Sequence, residues 1–214
     1  MSNWCGTNID INTGSEKTAQ TIYDKLEKWL KAPEGEHING GDGWLGCLAV
    51  NSGVIASYDD IKKSPFLCRG YVEDITLNGK SINMFISTEW DIMMEIIYRA
   101  LEKNFDLDRI DIIYSAEEPE NGSYFTNDED VAGAYHVGIC SDAGKQAMDA
   151  FGVEDVECYN CYNYSEVDLI EKLKKAFGIG DDENPTIEEL LDIAAGHPGI
   201  NIDMWEYESL FGAF

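Results

Sequence analysis

The sequence predicts an α+β fold in two parts, a sheet-and-helix domain over residues 1–140 and an acidic helical extension over residues 141–214. Apolar residues alternate with period two in some short segments and recur with helical period in others throughout the first part. Beyond residue 141 the helical period dominates. The 44% hydrophobic content supplies enough apolar side chains for a packed core, so the chain is not expected to be disordered.

The first strand is predicted over residues 7–12, where polar and apolar side chains alternate. Ser15 is the expected N-cap of a helix over residues 16–31, because apolar residues recur there at spacings of three and four. The apolar residues of that helix are Ala19, Ile22, Tyr23, Leu26, Trp29 and Leu30.

A glycine-rich stretch over residues 40–46 precedes a short apolar run, Cys47 to Val50, which is predicted to be strand-like. Residues 41–46 read Gly-Asp-Gly-Trp-Leu-Gly and fit the G-x-G-x-x-G pattern. A dinucleotide-binding loop must connect a strand to a helix, and here a strand-like run follows the glycines. We therefore interpret the stretch as a loop without a nucleotide.

A hairpin is predicted over residues 67–77 and 80–87, because the Asn78-Gly79 pair between them favours a tight turn. A second helix is expected to follow Asp91. Further strands are predicted over residues 109–115, 122–126 and 134–140. The resulting order, β-α-β-β-α-β, is that of the ferredoxin-like split β-α-β arrangement.

In the extension, helices are predicted over residues 142–151, 165–177, 186–195 and 203–211. Thr186 and Glu189 have the spacing of a capping box. Residues 142–214 carry 17 acidic and 4 basic side chains, about twice the net charge density of residues 1–141. An interaction surface based on negative charge is therefore expected to include the extension.

Charge is the strongest functional signal in the chain, which has 41 acidic and 15 basic residues and a formal net charge of −26. A compact chain of this length measures about 44 Å across, from the scaling of radius of gyration with length. Duplex DNA carries one phosphate per ~1.7 Å of axis, so about 26 charges fill that span. The match favours a DNA mimic that itself binds neither nucleic acid nor membranes. The alternative is an ordinary acidic surface that promotes solubility.

The six cysteines are expected to be reduced, because the first residues lack the basic and apolar regions of a secretory signal. We accordingly expect a cytoplasmic protein. The sequence contains no run of about 18 apolar residues, so no membrane span is predicted.

The opening residues 3–14 read NWCGTNIDINTG and resemble the NWC-x-N-x-L-x-I-x-G opening of YubB-type proteins. Residues 85–91 (FISTEWD) resemble that family's strand ending in Trp, and residues 110–122 resemble its closing strand and acidic hairpin. The resemblance covers residues 1–140 and departs from the family at 67–72, where the family has Asn-Trp-Gly-x-Lys-Trp. It implies a ferredoxin-like domain of phage or plasmid origin, with no assigned enzymatic activity.

One C-x-x-C motif, Cys158 to Cys161, allows two kinds of chemistry. A redox thiol pair requires a helix that starts at the first cysteine, whereas the next helix is predicted to begin near Ser165. A zinc site requires four ligands, for which His136 and Cys140 are further candidates. On one strand these two lie about 13 Å apart at 3.3 Å per residue, too far to share an ion without a bulge. We expect no cofactor, and zinc is the alternative.

The predicted function is inhibition by binding, without catalysis. A strongly negative surface is attracted to the basic groove of a nucleic-acid-binding protein, and a host restriction or CRISPR effector is the expected partner. Two tyrosines are expected to act as anchors, because tyrosine is enriched at interface hot spots. The predicted partner-binding residues are Glu154, Asp155, Glu157, Tyr159, Tyr162, Asp181, Asp182, Glu183, Glu188, Glu189 and Asp192.

Two alternatives stay open on the sequence alone. One is a zinc-stabilised or thiol-dependent small enzyme or module centred on Cys158 and Cys161. The other is an oligomeric scaffold assembled through the open face of the sheet. The sequence predicts neither the oligomeric state nor whether the acidic residues gather on one face.

Overall fold

The computed structural model describes residues 4–33, 40–63, 68–89, 94–118, 122–153, 160–180 and 182–208, with the backbone alone at residues 160–162. Contacts divide the chain into two compact units. The first comprises residues 1–128 and 208–214, and the second residues 129–207. The predicted mixed α/β character is confirmed. No helix among the described residues is long and apolar enough to cross a membrane.

The first unit contains a sheet and three α-helices. Its strands are β1 Trp4–Thr13, β2 Gly70–Asn78, β3 Ser81–Glu89, β4 Ile110–Glu118 and β5 Ser123–Thr126. Its α-helices are α1 Glu16–Trp29, α2 Leu45–Asn51 and α3 Met94–Asn104. Within the unit the strand order is β2-β3-β1-β4-β5, and each neighbouring pair is antiparallel. Short 3-10 helices cover Tyr58–Lys63 and Leu107–Arg109.

The core of the first unit lies between one face of this sheet and the helices. In β1 the odd-numbered residues are buried, as the alternation in the sequence predicts. Ile11, which is fully buried, pairs with Ile82 of β3 and Ile112 of β4, so three isoleucines form one row across the sheet. The predicted capping of α1 is also confirmed, because the Thr18 backbone N–H donates to the Ser15 hydroxyl oxygen at 3.1 Å.

The predicted hairpin is confirmed with a shift of one residue. Asn78 pairs with Ser81, so the two loop residues are Gly79 and Lys80 instead of Asn78 and Gly79. Gly79 has φ of +60°, a conformation that glycine adopts without steric cost.

The prediction of a strand at Cys47 to Val50 is wrong, because these residues belong to helix α2. The run is too short for its periodicity to distinguish a strand from a buried helix. Leu45 and Leu48, one turn apart, are both fully buried in the core of the first unit. Tertiary packing thus decides the conformation of this segment.

The glycine-rich stretch before α2 makes room for a tryptophan ring. A Cβ atom at Gly40 or at Gly46 would collide with the Trp44 ring. The Trp44 indole N–H donates to the Cys68 carbonyl oxygen at 2.7 Å, which fixes the ring in place. The close approach of backbone and ring therefore accounts for Gly40 and Gly46. The expectation that a strand follows the glycines is wrong, because α2 follows them; the described element before them is helix α1, not the strand that precedes a dinucleotide-binding loop.

The second unit combines a three-stranded sheet with helices. Its strands are β6 Tyr135–Ile139, β7 Asn160–Tyr164 and β8 Ile200–Met204, followed by the short β9 Glu206–Tyr207. Its helices are α4 Gly144–Phe151, α5 Glu166–Phe177 and α6 Ile187–Ala195, with a 3-10 turn at Ser141–Ala143. The sheet order is β7-β6-β8, with both pairs antiparallel. Val137, Ile139 and Ile200 join the apolar faces of the three α-helices in one core.

Two expectations for this region require correction. The predicted helix over residues 203–211 is wrong where the chain is described, because Asp203 and Met204 belong to strand β8 and pair with His136 and Tyr135 of β6. The region beyond residue 140 is also not purely helical, and the division between the units falls at residue 128, before the predicted boundary. The reason is that β6 pairs with β7 and β8, which follow it in the chain.

Candidate interaction surfaces

The sequence-predicted partner residues fall into two groups. Glu154, Asp155, Glu157, Tyr159 and Asp181 lie outside the described residues, and Tyr162 is described only by its backbone in β7. The remaining five are exposed around the start of α6. This group, here called the α6 acidic cluster, consists of Asp182, Glu183, Glu188, Glu189 and Asp192.

Several members of the α6 acidic cluster are used by the fold itself. Thr186 and Glu189 form the predicted capping box: the Thr186 backbone N–H donates to the Glu189 carboxylate at 2.9 Å, and the Glu189 N–H donates to the Thr186 hydroxyl oxygen at 3.3 Å. Hydrogen bonds from its own backbone and from Thr186 hold the pKa of Glu188 below its usual value. Negative charge in the first turn of a helix also interacts favourably with the helix dipole. These two acidic residues therefore stabilise α6.

The loop before α6 uses a third member of the cluster. The Gly180 backbone N–H donates to the Glu183 carboxylate at 3.4 Å. The Lys174 ammonium donates to the Glu183 carbonyl oxygen at 2.6 Å, which ties this loop to α5. Asp182 and Asp192, by contrast, lie exposed outside the capping box.

Carboxylates also lie near the end of the second sheet at which strand β6 begins. Burial raises the pKa of Tyr135, and the charges of Glu166 and Glu188 raise it further. These residues belong to the first turns of α5 and α6, so both helices begin near this tyrosine. Met204, which pairs with Tyr135 in the sheet, is 49% exposed. This end of the sheet thus combines negative charge with an exposed apolar side chain.

The first unit presents a different acidic surface, which we call the open sheet face. It consists of the β1–β4 side chains that point away from the core, and it centres on Phe85 of β3, which is 37% exposed. Trp4, at the start of β1 on the same face, is 48% exposed. Polar uncharged side chains surround these aromatic residues, among them Asn8, Asn12, Thr76, Ser81, Asn83 and Ser115.

The charged positions of the open sheet face are all acidic. They are Asp10, Asp74, Glu89, Asp111 and Glu117, which the strand registers place on the same side as Phe85. Within β1–β4, as described, no lysine or arginine lies on this face. Arg69, Lys80 and Arg109 lie just outside the strands, at the ends of the face. The face therefore has a negative centre and basic residues only at its borders.

The geometry at Gly6 exposes the aromatic centre of this face. Gly6 of β1 has no side chain, and the Phe85 ring lies 3.3 Å from the position that a Cβ atom would occupy. On its other side, Gly6 pairs with Glu117 of β4. The ring thus lies over a strand position without a side chain, and Glu117 is in register with that position on the neighbouring strand.

A third polar group, centred on His136, lies in the second unit. The registers place Asn163, His136 and Asp203 in one row across β7, β6 and β8. The Asn163 side-chain oxygen accepts from the Trp205 indole N–H at 2.9 Å and lies 3.2 Å from His136 Nδ1. Burial raises the pKa of Asp203, and the nearby His136 opposes this shift. His136 is only 6% exposed, so we interpret the row as a structural network that positions Trp205.

The predicted metal or thiol site is only partly covered by the structure. Cys158 lies outside the described residues, and Cys161 is described by its backbone, in register with Gly138. His136 lies within β6, and Cys140 follows the end of that strand with a half-buried thiol. Among the residues with described side chains, no three histidine, cysteine or acidic residues form a group that could hold a metal ion. The roles of Cys158 and Cys161 stay predictions.

The sequence suggests the open face of the sheet only as the assembly surface of an oligomeric scaffold, and its patterns select none of the residues of that face as binding residues. The alternation of β1 indicated which side chains point outward, but an outward position is ordinary for polar residues of a half-buried strand. Only the pairing of β3 with β1, more than 70 residues apart in the chain, brings Phe85 over Gly6.

Comparisons with known proteins identify no relative. The chain matches no protein-family model, and comparisons with curated proteins and with solved structures give no match either.

Proposed function

We propose that this protein is a non-enzymatic inhibitor that binds a basic, nucleic-acid-binding host protein and blocks its groove by imitating the charge of DNA. The proposed partners are defence proteins of the restriction or CRISPR type, in the bacterial cytoplasm. A phage or mobile-element origin is consistent with the resemblance of the opening residues 3–14 to YubB-type proteins.

The observation that carries this proposal is the placement of unneutralised carboxylates on exposed surfaces of both units. The 15 basic residues can pair with fewer than half of the 41 acidic ones. The α6 acidic cluster is exposed, and the open sheet face carries exposed Asp74 and Asp111 together with half-buried Asp10, Glu89 and Glu117. Such surfaces attract a basic partner over distances set by the Debye length, about 8 Å at physiological ionic strength.

The fold forms part of the proposal. We propose a ferredoxin-like first unit and an acidic extension that carries additional negative charge. The order β2-β3-β1-β4 with antiparallel neighbours, joined by α1 and α3 as crossover helices, supports this assignment. The second unit would then be an addition to that fold with its own small sheet.

The test is affinity capture from a bacterial lysate on the immobilised protein, with elution by a salt gradient and, separately, by a 30-base-pair DNA duplex. We expect mass spectrometry to identify a nucleic-acid-binding protein that elutes in both cases, because the duplex and the acidic protein compete for one groove. If captured proteins are released by salt but not by the duplex, the DNA-mimic proposal is wrong.

A charge-reversed variant tests the sequence-predicted cluster. Changing Asp181, Asp182 and Glu183 to lysine shifts the net charge by six units next to α6 and should abolish capture if this segment enters the groove. The Cys158→Ser, Cys161→Ser double variant is the control, since binding through surface charge should survive it. Loss of capture in the cysteine variant alone would instead favour the zinc or thiol alternative.

A further inference from the structure

We propose that the open sheet face of the first unit is the docking surface for an arginine-bearing segment of the basic partner. This inference rests on the proposed function and adds to it a location and a side-chain chemistry. It assigns binding to residues that the sequence patterns did not select.

The aromatic centre of the face favours arginine. An exposed aromatic ring attracts a cation at its face, and a planar guanidinium can also stack on the ring. Phe85 is 37% exposed and projects over Gly6, so its ring is not covered by a side chain from that neighbouring position of β1. Trp4, on the same face, offers a second exposed aromatic surface.

Carboxylates surround this ring on neighbouring strands. Asp74 of β2 lies directly opposite Phe85 in the register. Asp10 of β1 lies on the diagonal from Phe85, and Glu117 of β4 lies across Gly6 from it. Asp74 and Asp10, as opposite and diagonal neighbours, lie about 5–8 Å from Phe85, within reach of an arginine fork that stacks on the ring, whereas Glu117 is two strands away. A guanidinium bound at Phe85 would thus meet both an aromatic face and a carboxylate.

The charge of the face favours a basic polypeptide over two other possible occupants, single-stranded nucleic acid and a second copy of the chain. Single-stranded nucleic acid also stacks on exposed aromatic residues of open sheets, but it requires basic residues around them, and this face carries carboxylates in those positions. A second copy of the chain would bring five acidic positions against the same five, which is electrostatically unfavourable. A basic polypeptide complements the face.

The experiment compares two variants with the same charge change. In the face variant Asp10, Asp74 and Glu117 become Asn, Asn and Gln; in the control variant Asp182, Glu183 and Asp192 become Asn, Gln and Asn. Binding of labelled decaarginine and decalysine peptides is measured by fluorescence anisotropy at physiological salt, and circular dichroism verifies that both variants fold. A Phe85→Leu variant removes the ring and keeps an apolar side chain.

We expect the face variant to lose about tenfold more affinity for decaarginine than the control variant, since it removes the carboxylates that surround one binding point. Phe85→Leu should reduce the preference for decaarginine over decalysine by about threefold, the value of one exposed cation–π contact. Equal losses in the face and control variants would overturn the inference. So would binding of a single-stranded oligonucleotide, or a dimer in sedimentation that dissociates in the face variant.

The two proposals can fail separately. If the DNA-competed capture persists in the face variant and is lost in the control variant, the docking surface is wrong and the proposed function stands. If no DNA-competed partner is captured, but the face variant binds decaarginine more weakly than the control variant does, the proposed function fails and the chemistry of the surface stands.

Discussion

The α6 acidic cluster of the second unit and the open sheet face of the first unit place their carboxylates in different structural positions. In the second unit, Glu188 and Glu189 lie in the first turn of α6, where Glu189 completes a capping box with Thr186 and both charges interact favourably with the helix dipole. In the first unit, Asp10 and Glu117 lie on strands, on the side away from the core. Carboxylates at a helix start cap the helix and stabilise the fold, whereas those of the open sheet face lie on strands, where Asp10 accepts a cross-strand hydrogen bond from the Asn83 amide.

This difference separates charge that the fold requires from charge that is available for binding. Neutralising an acidic residue at a helix start should reduce the stability of the fold more than it reduces the binding of a partner. Neutralising the open sheet face should affect a partner and leave the free energy of unfolding nearly unchanged, since surface substitutions away from caps and cores are usually within about 0.5 kcal/mol. High charge density alone is therefore a poor guide to the binding surface.

The largest expected effect tests whether each unit is stabilised by its own hydrophobic core. Leu26→Ala in the first unit and Leu169→Ala in the second each remove a fully buried side chain. Each should cost about 3 kcal/mol of unfolding free energy, from lost burial and the cavity left behind. Urea denaturation followed by circular dichroism measures it. Ile193→Ala, at an exposed position, is the control, and a cost below about 1 kcal/mol for either leucine variant would mean that its site is not tightly packed.

The next effect concerns thiol reactivity, which should differ between the units. Burial raises the pKa of Cys68 in the first unit to about 11, while Cys140 in the second is only half-buried. Because only the thiolate reacts, alkylation of Cys68 at pH 8 should be about 100-fold slower than for a thiol of ordinary pKa, before steric protection is counted. Peptide mapping after timed iodoacetamide treatment measures both rates. Comparable rates at Cys68 and Cys140 would contradict the burial of Cys68.

The Cys68 thiol should also make the stability of the protein depend on pH. Because the folded protein holds the Cys68 proton more tightly than the unfolded chain, its contribution to stability is complete below the ordinary pKa of 9.0. It should decline as pH rises from 9.0 towards about 11. A Cys68→Ala variant, which lacks this proton, should lose less stability than the parent over that interval.

The smallest effect contrasts two positions on one helix. Thr186→Ala removes the capping box and should cost about 1 kcal/mol, because it leaves a helix N–H without its acceptor. Asp192→Asn, six residues further along the chain and exposed, should change the unfolding free energy by less than about 0.5 kcal/mol. Thermal denaturation of both variants measures the difference. If the Asp192 variant is the less stable of the two, the distinction between required and available acidic residues fails for this helix.

The elements whose signals are local could be predicted from the sequence. The alternation of Ile9 and Ile11, the Ser15 cap, the apolar period of α1 and the capping box at Thr186 all appear in the structure where the pattern places them. These signals arise within a few residues, since caps and amphipathic faces depend on near neighbours in the chain.

Tertiary structure alone decided the segments whose local patterns are ambiguous. The apolar run at Cys47 became part of a helix because the core of the first unit accepts Leu45 and Leu48. Asp203 and Met204, predicted to begin a helix, are strand residues because β8 pairs with β6. The open sheet face likewise depends on strand registers between distant parts of the chain, which place Phe85, Gly6 and Glu117 together. Pairing over such separations depends on the whole fold, so no short stretch of sequence encodes it.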